Sequence, residues 1–195
     1  MWLPDTTLAG TLDTDTQQIA RGLRHRDLAL LNALVAEYQY RLVRYLIYLL
    51  GSRDLVDDLV QETWLRVLER GRTYDGQSRF EPWLFRVARN IALDTMRERP
   101  MLSLDSNEGD GVSSSPASGE ASPYTLAART QDAERLADAL QTLEPVYREA
   151  LVLRFQEDLS LQEISVIVGA PVSTVASRIY RGLATLRPQL EGETA

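Results

Sequence analysis

Apolar residues recur every three or four positions along most of the chain, which is the spacing of amphipathic helices. The clearest stripe covers residues 28–50 and stops at Gly51, a residue that commonly ends a helix. A second stripe covers about 54–70. A third begins near Pro82, which a first helical turn tolerates, and runs up to Pro100, which cannot continue a helix. Strand-like alternation bounded by hairpin turns is not evident, so we predict an all-α fold.

The helical pattern stops over residues 101–129, where serine, glycine, proline and alanine dominate. Such a composition buries too little apolar surface to offset the conformational entropy lost on folding, so we predict a flexible linker. Helical patterning resumes over 130–190. We therefore predict two small helical domains, over 21–100 and 130–190, with a disordered extension over 1–20.

The second predicted domain carries the local signals of a helix-turn-helix. Ser160 and Glu163 have the spacing of a capping box, in which each side chain satisfies the other residue's backbone amide. Gly169 suits the left-handed conformation that ends a helix. Ser173 is a favourable N-cap for the helix that follows.

That last helix has one apolar face and one face of hydroxyls and arginines without a carboxylate. The second face consists of Thr174, Ser177, Arg178, Arg181 and Thr185. Hydroxyl groups can approach phosphates and bases in the major groove, and arginine can bond guanine there. A solvated face of an ordinary helical hairpin would look similar. The capping box, the glycine turn and the acid-free face together favour DNA binding.

The distribution of charge modifies this picture. The net charge is −7, which is unusual for a DNA-binding protein. However, residues 171–190 hold three arginines and no acid, whereas 129–170 hold eight acids and four arginines. All 21 basic residues are arginine, which binds phosphates and guanine edges bidentately but would also result from a GC-rich genome.

The sequence lacks the residues that several classes of function require. Cysteine is absent and His25 is the single histidine, so no metal site or histidine-based nucleophile is expected. The adjacent pair Asp57 and Asp58 faces two directions on a helix, and no glycine-rich phosphate loop occurs. No apolar run approaches the about 20 residues of a membrane span, and the N-terminus does not resemble a secretory signal. We predict a cytoplasmic, non-enzymatic protein without cofactor.

Two stretches resemble conserved regions of bacterial RNA polymerase sigma factors. One stretch, DLVDDLVQETWLRVLER followed by FEPWLFRVARNIALDTMRER, resembles their second conserved region. The other, LADALQTLEPVYREALVLRFQEDLSLQEISVIVGAPVSTVASRIYRGLATLRPQL, resembles their fourth. Their order, and the linker between them, resemble the small extracytoplasmic-function (ECF) subfamily. The resemblance covers about residues 25–100 and 130–190, and it implies a subunit that directs core RNA polymerase to promoters and opens the DNA.

The resemblance also implies the partners. These are the clamp coiled coil and the flap of core RNA polymerase, promoter DNA and an anti-sigma factor, without membrane insertion. The residues implied in docking on the clamp coiled coil are Asp57, Asp58, Gln61 and Glu62. Acids on one exposed helix face suit a basic partner surface, although the same acids alone would be typical of a solvated helix.

The segment 74–90 matches the part of the family that opens the minus-ten promoter element. Capturing unpaired bases requires aromatic, amide or guanidinium groups. The candidate contacts are Tyr74, Arg86, Asn90 and Arg97, of which Asn90 matches a position that holds a flipped base. Phe80 and Trp83 are expected to belong to the core, because large aromatics dominate interior burial.

The last helix matches the family's recognition helix for the minus-thirty-five element. The candidate contacts are Ser173, Thr174, Ser177, Arg178 and Arg181. Many relatives have a basic residue where Ala176 stands and a glycine where Ser173 stands. The first departure removes one contact to DNA, which leaves the preferred upstream sequence open.

A stand-alone helix-turn-helix regulator is the alternative hypothesis. Such a protein usually needs a dimer interface or a ligand-binding domain, and the first domain has neither coiled-coil heptads nor an α/β pattern with a phosphate-acceptor pocket. Binding to duplex DNA distinguishes the two hypotheses. A repressor would bind tightly by itself, whereas a sigma factor would bind weakly until polymerase holds its two domains in register.

Overall fold

The computed structural model describes the backbone of residues 11–98 and 135–191, and the side chains of 16–98 and 135–190. Every regular element within these ranges is helical, which confirms the predicted all-α class. The predicted linker, 101–129, lies outside the described residues.

The helices form two groups. The first group consists of α1 (Thr11–His25), α2 (Leu28–Leu50), α3 (Val56–Arg70), a 3₁₀ turn (Gly71–Thr73) and α4 (Phe80–Glu98). The second group consists of α5 (135–141), α6 (Pro145–Leu151) with a π-helical continuation (Val152–Gln156), α7 (Leu161–Val168) and α8 (Val172–Glu191).

Helix α2 has the bounds that its apolar stripe predicted, because both ends are capped. At its start the Asp27 carboxylate accepts hydrogen bonds from the amides of Ala29 and Leu30, at 2.9 and 3.2 Å. At its end Gly51 adopts a left-handed φ of 73°, and its N–H donates to the carbonyl of Ile47 at 2.8 Å. Glycine carries no steric penalty at that φ, which is why the helix stops there.

The expected disorder of residues 1–20 is wrong for the part that the structure describes. Residues from Thr11 onward belong to α1, and Ile19, Ala20 and Leu23 are buried in the core. These three residues form a short apolar stripe that continues into the predicted domain, so α1 packs on α2 and on the 3₁₀ turn. The side chain of Gln17 also donates a hydrogen bond to the carbonyl of Gly76 at 3.0 Å.

The capping box and glycine turn of the helix-turn-helix are confirmed. The Ser160 hydroxyl accepts the amide of Glu163 at 3.2 Å, and the Glu163 carboxylate accepts the amide of Ser160 at 2.7 Å. Gly169 then ends α7 in the left-handed region, with a φ of 64°.

The predicted N-cap at Ser173 is wrong by two residues. Helix α8 begins at Val172, and the first helical hydrogen bond runs from the amide of Val175 to the carbonyl of Pro171 at 3.1 Å. Proline fixes its own φ near the helical value, so the chain enters the helix directly after it. Ser173 therefore lies inside the first turn, with its side chain exposed.

The end of α6 widens into a π-helical turn that the sequence pattern did not predict. The amide of Glu157 donates to the carbonyl of Val152, five residues earlier, at 3.2 Å. Asp158 then takes a left-handed φ of 51° and turns the chain towards α7. The wider turn leaves the Glu157 side chain with no exposed surface.

The two groups of helices share one hydrophobic core. Helix α4 packs against α7, and α2 packs against α6. Leu153, Leu159 and Ile164 of the second group are completely buried in the same cluster as Leu42, Leu46 and Leu84 of the first. We call this packing of the two domains the closed arrangement.

Ser160→Ala is expected to destabilise the protein by about 1 kcal/mol, because it removes the acceptor for the Glu163 amide. Ser173→Ala is the matched control in the same motif, and it should stay within about 0.5 kcal/mol of the wild type. Urea unfolding of the full chain followed by circular dichroism measures both. Equal losses at the two serines would contradict the cap that the structure assigns.

Candidate nucleic-acid interface

Helix α8 is held by its apolar side. Val175 and Leu186 are buried, and α8 packs on α6 and α7. Gly182 faces α6 so closely that an added Cβ would lie 2.9 Å from Cδ1 of Leu151. A glycine at this point allows the two helices to approach, and the opposite side of α8 is turned to solvent.

The five residues predicted on the recognition helix share this outward side. Ser173, Ser177 and Arg181 are exposed, and Thr174 and Arg178 are half-buried. Within the described chain, no salt bridge joins Arg178 or Arg181 to an acid. Both guanidinium groups are therefore available to an external anion or base edge.

Tyr180 is a further candidate on α8 that the sequence pattern did not single out. Its side chain is 76% exposed, next to Arg181 and three residues after Ser177. A large aromatic outside the apolar stripe of a helix is the signal that would have identified it, because its ring has no place in the core.

A polar pocket of about 370 Å³ lies between α3 and α4. It contains two of the predicted minus-ten residues, Asn90 and Arg97, and adds Arg66, Arg70 and Arg89. We call this the α3–α4 pocket. Asn90 and Arg97 are exposed, and Arg97 also contacts Asp94 at 3.3 Å. Arg66 and Arg70 come from a different helix, so spacing along α4 could not reveal them.

Tyr74 and Arg86 do not line this pocket. Tyr74 is 2% exposed, its ring lies 5.4 Å from that of Phe80 and 5.7 Å from that of Trp83, and its hydroxyl donates to the carbonyl of Ser78 at 2.6 Å. Phe80 is buried, as expected, whereas Trp83 is half-buried. Arg86 is exposed on α4. In the closed arrangement the Tyr74 ring is thus not accessible to a ligand.

Two of the four residues predicted for polymerase docking, Asp57 and Gln61, line one groove. Between α2 and α3 is an apolar groove of about 430 Å³, with Asp57 and Gln61 among its lining residues. Trp64 also lines it, and the buried Nε1 of that indole has no hydrogen-bond acceptor among the described residues. Asp58 is exposed outside the lining, and Glu62 binds Arg66 at 2.7 Å. We call this the α2–α3 groove.

The second domain has an apolar groove of its own. Its volume is about 420 Å³, and it lies between α5, the end of α6 and α8. Most of its lining residues are leucines, and Phe155, whose side chain is 62% exposed, also lines it. An exposed aromatic beside a leucine-lined groove is typical of a surface that binds another protein.

Acids of the second domain meet arginines of the first across the closed arrangement. Glu157 accepts hydrogen bonds from Arg41 Nε and from an Arg44 Nη, both at 2.7 Å. Glu149 accepts from Arg89 Nε at 2.7 Å and from the Tyr45 hydroxyl at 2.8 Å. We call these residues the interdomain cluster.

The electrostatics of the interdomain cluster follow from its burial. Burial raises the pKa of the Tyr45 phenol well above its ordinary value, and the adjacent Glu149 carboxylate raises it further. Burial opposes the charge of Arg89, but hydrogen bonding and attraction to Glu149 outweigh it and raise the pKa of Arg89. Both partners of Glu149 therefore keep their protons and remain donors.

The described residues contain neither a membrane-spanning helix nor a metal site. No described helix is long and apolar enough to cross a membrane. In the part of the chain that the structure describes, no group of histidine, aspartate and glutamate is arranged to hold a metal ion.

The fold and the site together define a two-domain helical protein with a helix-turn-helix in its second domain. Residues 34–100 match the family described as Sigma-70 region 2, and residues 133–186 match Sigma-70, region 4. The chain belongs to the ECF RNA polymerase sigma factors, which are transcription initiation factors.

Curated relatives support this membership. The chain is 32% identical to RNA polymerase sigma factor CarQ of Myxococcus xanthus, over 82% of this chain and 88% of that one. It is 30% identical to the ECF RNA polymerase sigma-E factor of Salmonella typhimurium, over 85% and 88%. It is 34% identical to ECF RNA polymerase sigma factor SigE of Mycolicibacterium smegmatis, over 80% of this chain but only 60% of that longer relative.

Solved structures show the same fold. CnrH, in complex with the cytosolic domain of CnrY, superposes with a TM-score of 0.65 at 23% identity and covers 92% of this chain and 99% of that one. The sigma factor RpoE of Bartonella quintana, in complex with the anti-sigma factor NepR, gives 0.64 at 25% identity and covers 83% and 97%.

Val175→Ala and Tyr180→Ala are expected to distinguish the buried side of α8 from its exposed side. Val175 is completely buried, so its truncation should cost about 2 kcal/mol in the free energy of unfolding. Tyr180 is exposed, so its truncation should change that free energy by less than about 0.5 kcal/mol. Urea unfolding of each full-length variant provides the measurement. A large loss at Tyr180 would show that its ring packs in the core.

Proposed function

We propose that this protein binds core RNA polymerase, recognises promoters, assists in opening them and thereby initiates transcription. The observation that carries the proposal is the presence of both sigma regions in one chain. A stand-alone regulator would need only the helix-turn-helix, so that hypothesis does not account for the match to region 2.

The upstream element would be read by the polar face of α8. This face offers two guanidinium groups, on Arg178 and Arg181, that have no acidic partner among the described residues, and short hydroxyls beside them. Arginine can bond both acceptors of guanine in the major groove, while serine and threonine reach phosphates and bases. The exposed ring of Tyr180 could add an apolar contact to a thymine methyl group.

The downstream element would be captured at the α3–α4 pocket. An opened promoter presents unpaired bases and phosphates together. The carboxamide of Asn90 can bond a base edge, and the surrounding arginines can bind the backbone. In this proposal Arg86 extends the same surface, and Tyr74 takes part only after its ring leaves its position against Phe80 and Trp83.

Polymerase would dock on the α2–α3 groove. Asp57 and Gln61 at the groove, with Asp58 and Glu62 beside it, suit a basic helical partner such as the clamp coiled coil. The leucine-lined groove of the second domain is proposed to bind the flap. Polymerase would then supply much of the attraction to DNA, which explains how a chain of net charge −7 can serve in promoter binding.

We further propose an anti-sigma factor as the inhibitor of this protein, since two structural neighbours are complexes with another chain and one of them is a sigma factor with an anti-sigma factor. The protein would act in the cytoplasm, where polymerase acts. It would have no catalytic activity of its own, and the polymerase would carry out the chemistry.

The test is transcription of fragmented genomic DNA by the purified core polymerase with and without this protein, followed by sequencing of RNA 5′ ends. Defined start sites that appear only with the protein would establish the function, and the aligned upstream DNA would reveal both elements. Tight binding of the isolated chain to duplex DNA, without new start sites, would favour the stand-alone regulator.

Arg178→Ala is expected to weaken promoter use by about 1–3 kcal/mol at promoters with the matching base and much less at others, because a bidentate contact discriminates between bases. Transcription from a panel of upstream-element variants measures this loss. An equal loss at every promoter would identify Arg178 as a phosphate contact instead.

Asn90→Ala is expected to leave the affinity for core polymerase unchanged and to reduce promoter opening, since Asn90 is exposed and lies outside the α2–α3 groove. Polymerase binding is measured by fluorescence anisotropy, and opening by permanganate reactivity of unpaired thymines. A premelted template should restore activity to the variant. Loss of polymerase binding would show that the role of Asn90 is structural.

A further inference from the structure

The interdomain cluster pairs the acids of one domain with the arginines of the other. Glu157 reaches two arginines of α2, and its carboxylate has no exposed surface. Glu163 of the capping box adds a longer contact to Arg79 at 3.8 Å. Each contact joins residues on opposite sides of the linker, so the cluster stabilises only the closed arrangement.

The second centre of the cluster involves the α3–α4 pocket directly. Arg89 lines that pocket beside Asn90, yet its guanidinium is bound by the Glu149 carboxylate through Nε at 2.7 Å and an Nη at 3.3 Å. A carboxylate and a phosphate offer similar paired oxygens to arginine. Glu149 therefore occupies an arginine that the pocket would otherwise present to a nucleic-acid phosphate.

The energetics of such a cluster suit a switch. Burying a carboxylate and a guanidinium removes both from water, and their attraction only about balances that loss, so the pair adds little net stability. Removing one partner, however, leaves the other charge buried and unpaired, which is strongly unfavourable. The closed arrangement can thus have one defined geometry, and the two domains can still separate when a partner binds.

Promoter binding requires opening. Elements at positions minus ten and minus thirty-five lie about 25 base pairs apart, which at about 3.4 Å per base pair is roughly 85 Å of duplex. A compact chain of this length has a radius of gyration of about 16 Å. The recognition helix and the α3–α4 pocket cannot contact both elements while α4 packs against α7.

We propose that the interdomain cluster is an autoinhibitory lock, in which Glu149 and Glu157 hold the two domains closed and keep Arg89 from DNA until core polymerase separates them. This inference rests on the proposed function. It predicts that weakening the cluster opens the free protein and increases its apparent affinity for polymerase, because less of the free protein is then in the closed state.

The absence of cysteine makes the test direct. Cysteines introduced at two exposed alanines, Ala29 in the first domain and Ala184 in the second, can be labelled with a donor and an acceptor dye. Energy transfer then reports the distance between the domains in the full chain. The lock variant is Glu149→Gln with Glu157→Gln, and the matched control is Asp138→Asn, an exposed acid of the same domain.

A second variant replaces arginines of the first domain instead of glutamates of the second. Arg41→Gln with Arg44→Gln removes both partners of Glu157 and leaves the α3–α4 pocket and α8 unchanged. Circular dichroism of each variant establishes that its helices are retained. Agreement between the two double variants would exclude an effect peculiar to the substituted glutamates.

The expected result is a loss of energy transfer in both double variants but not in the control. The concentration of unlabelled protein that half-saturates core polymerase should also fall about tenfold, as for a free protein that is about one-tenth open. Unchanged energy transfer, or opening without a change in half-saturation, would overturn the lock. Failure of the wild type and of every variant to bind polymerase would instead overturn the proposed function.

Discussion

Two buried carboxylates, those of Glu149 and Glu157, set the arrangement of this molecule. Each has left water, and each is tolerated only because arginines of the other domain bond its oxygens. The π-helical turn places Glu157 at that position, and α4 and α7 pack against each other across the same domain interface. The closed packing and the occupation of Arg89 both belong to this one state.

The arginines at the domain interface differ in their partners from those on the polar face of α8. Those of α2, together with Arg89, meet carboxylates across the domain interface, whereas Arg178 and Arg181 on α8 meet none in the described chain. The residue type is the same, so the difference comes from what lies opposite each guanidinium. An acidic chain can retain a basic recognition face in this way, because no described acid forms a salt bridge with Arg178 or Arg181.

Sequence reasoning succeeded where the determining contacts are local. The bounds of α2, the capping box and the glycine that ends α7 depend on residues within one or two helical turns of each other. It failed at the start of α8, where Pro171 overrides the cap expected at Ser173, and at residues 11–20, where a short apolar stripe gains stability only by packing on the first domain. Isolated helices that short are marginal in water.

The helical class, the helix-turn-helix, the family and the outward face of α8 could be predicted from the sequence, because periodicity, capping and motifs involve neighbours along the chain. Helix packing was needed to show that Arg66 and Arg70 join Asn90 in one pocket and that Tyr74 is buried. It also decided which acids meet which arginines, since Glu149 and Arg89 are 60 residues apart. Such contacts depend on how whole helices pack, and no local pattern encodes that packing.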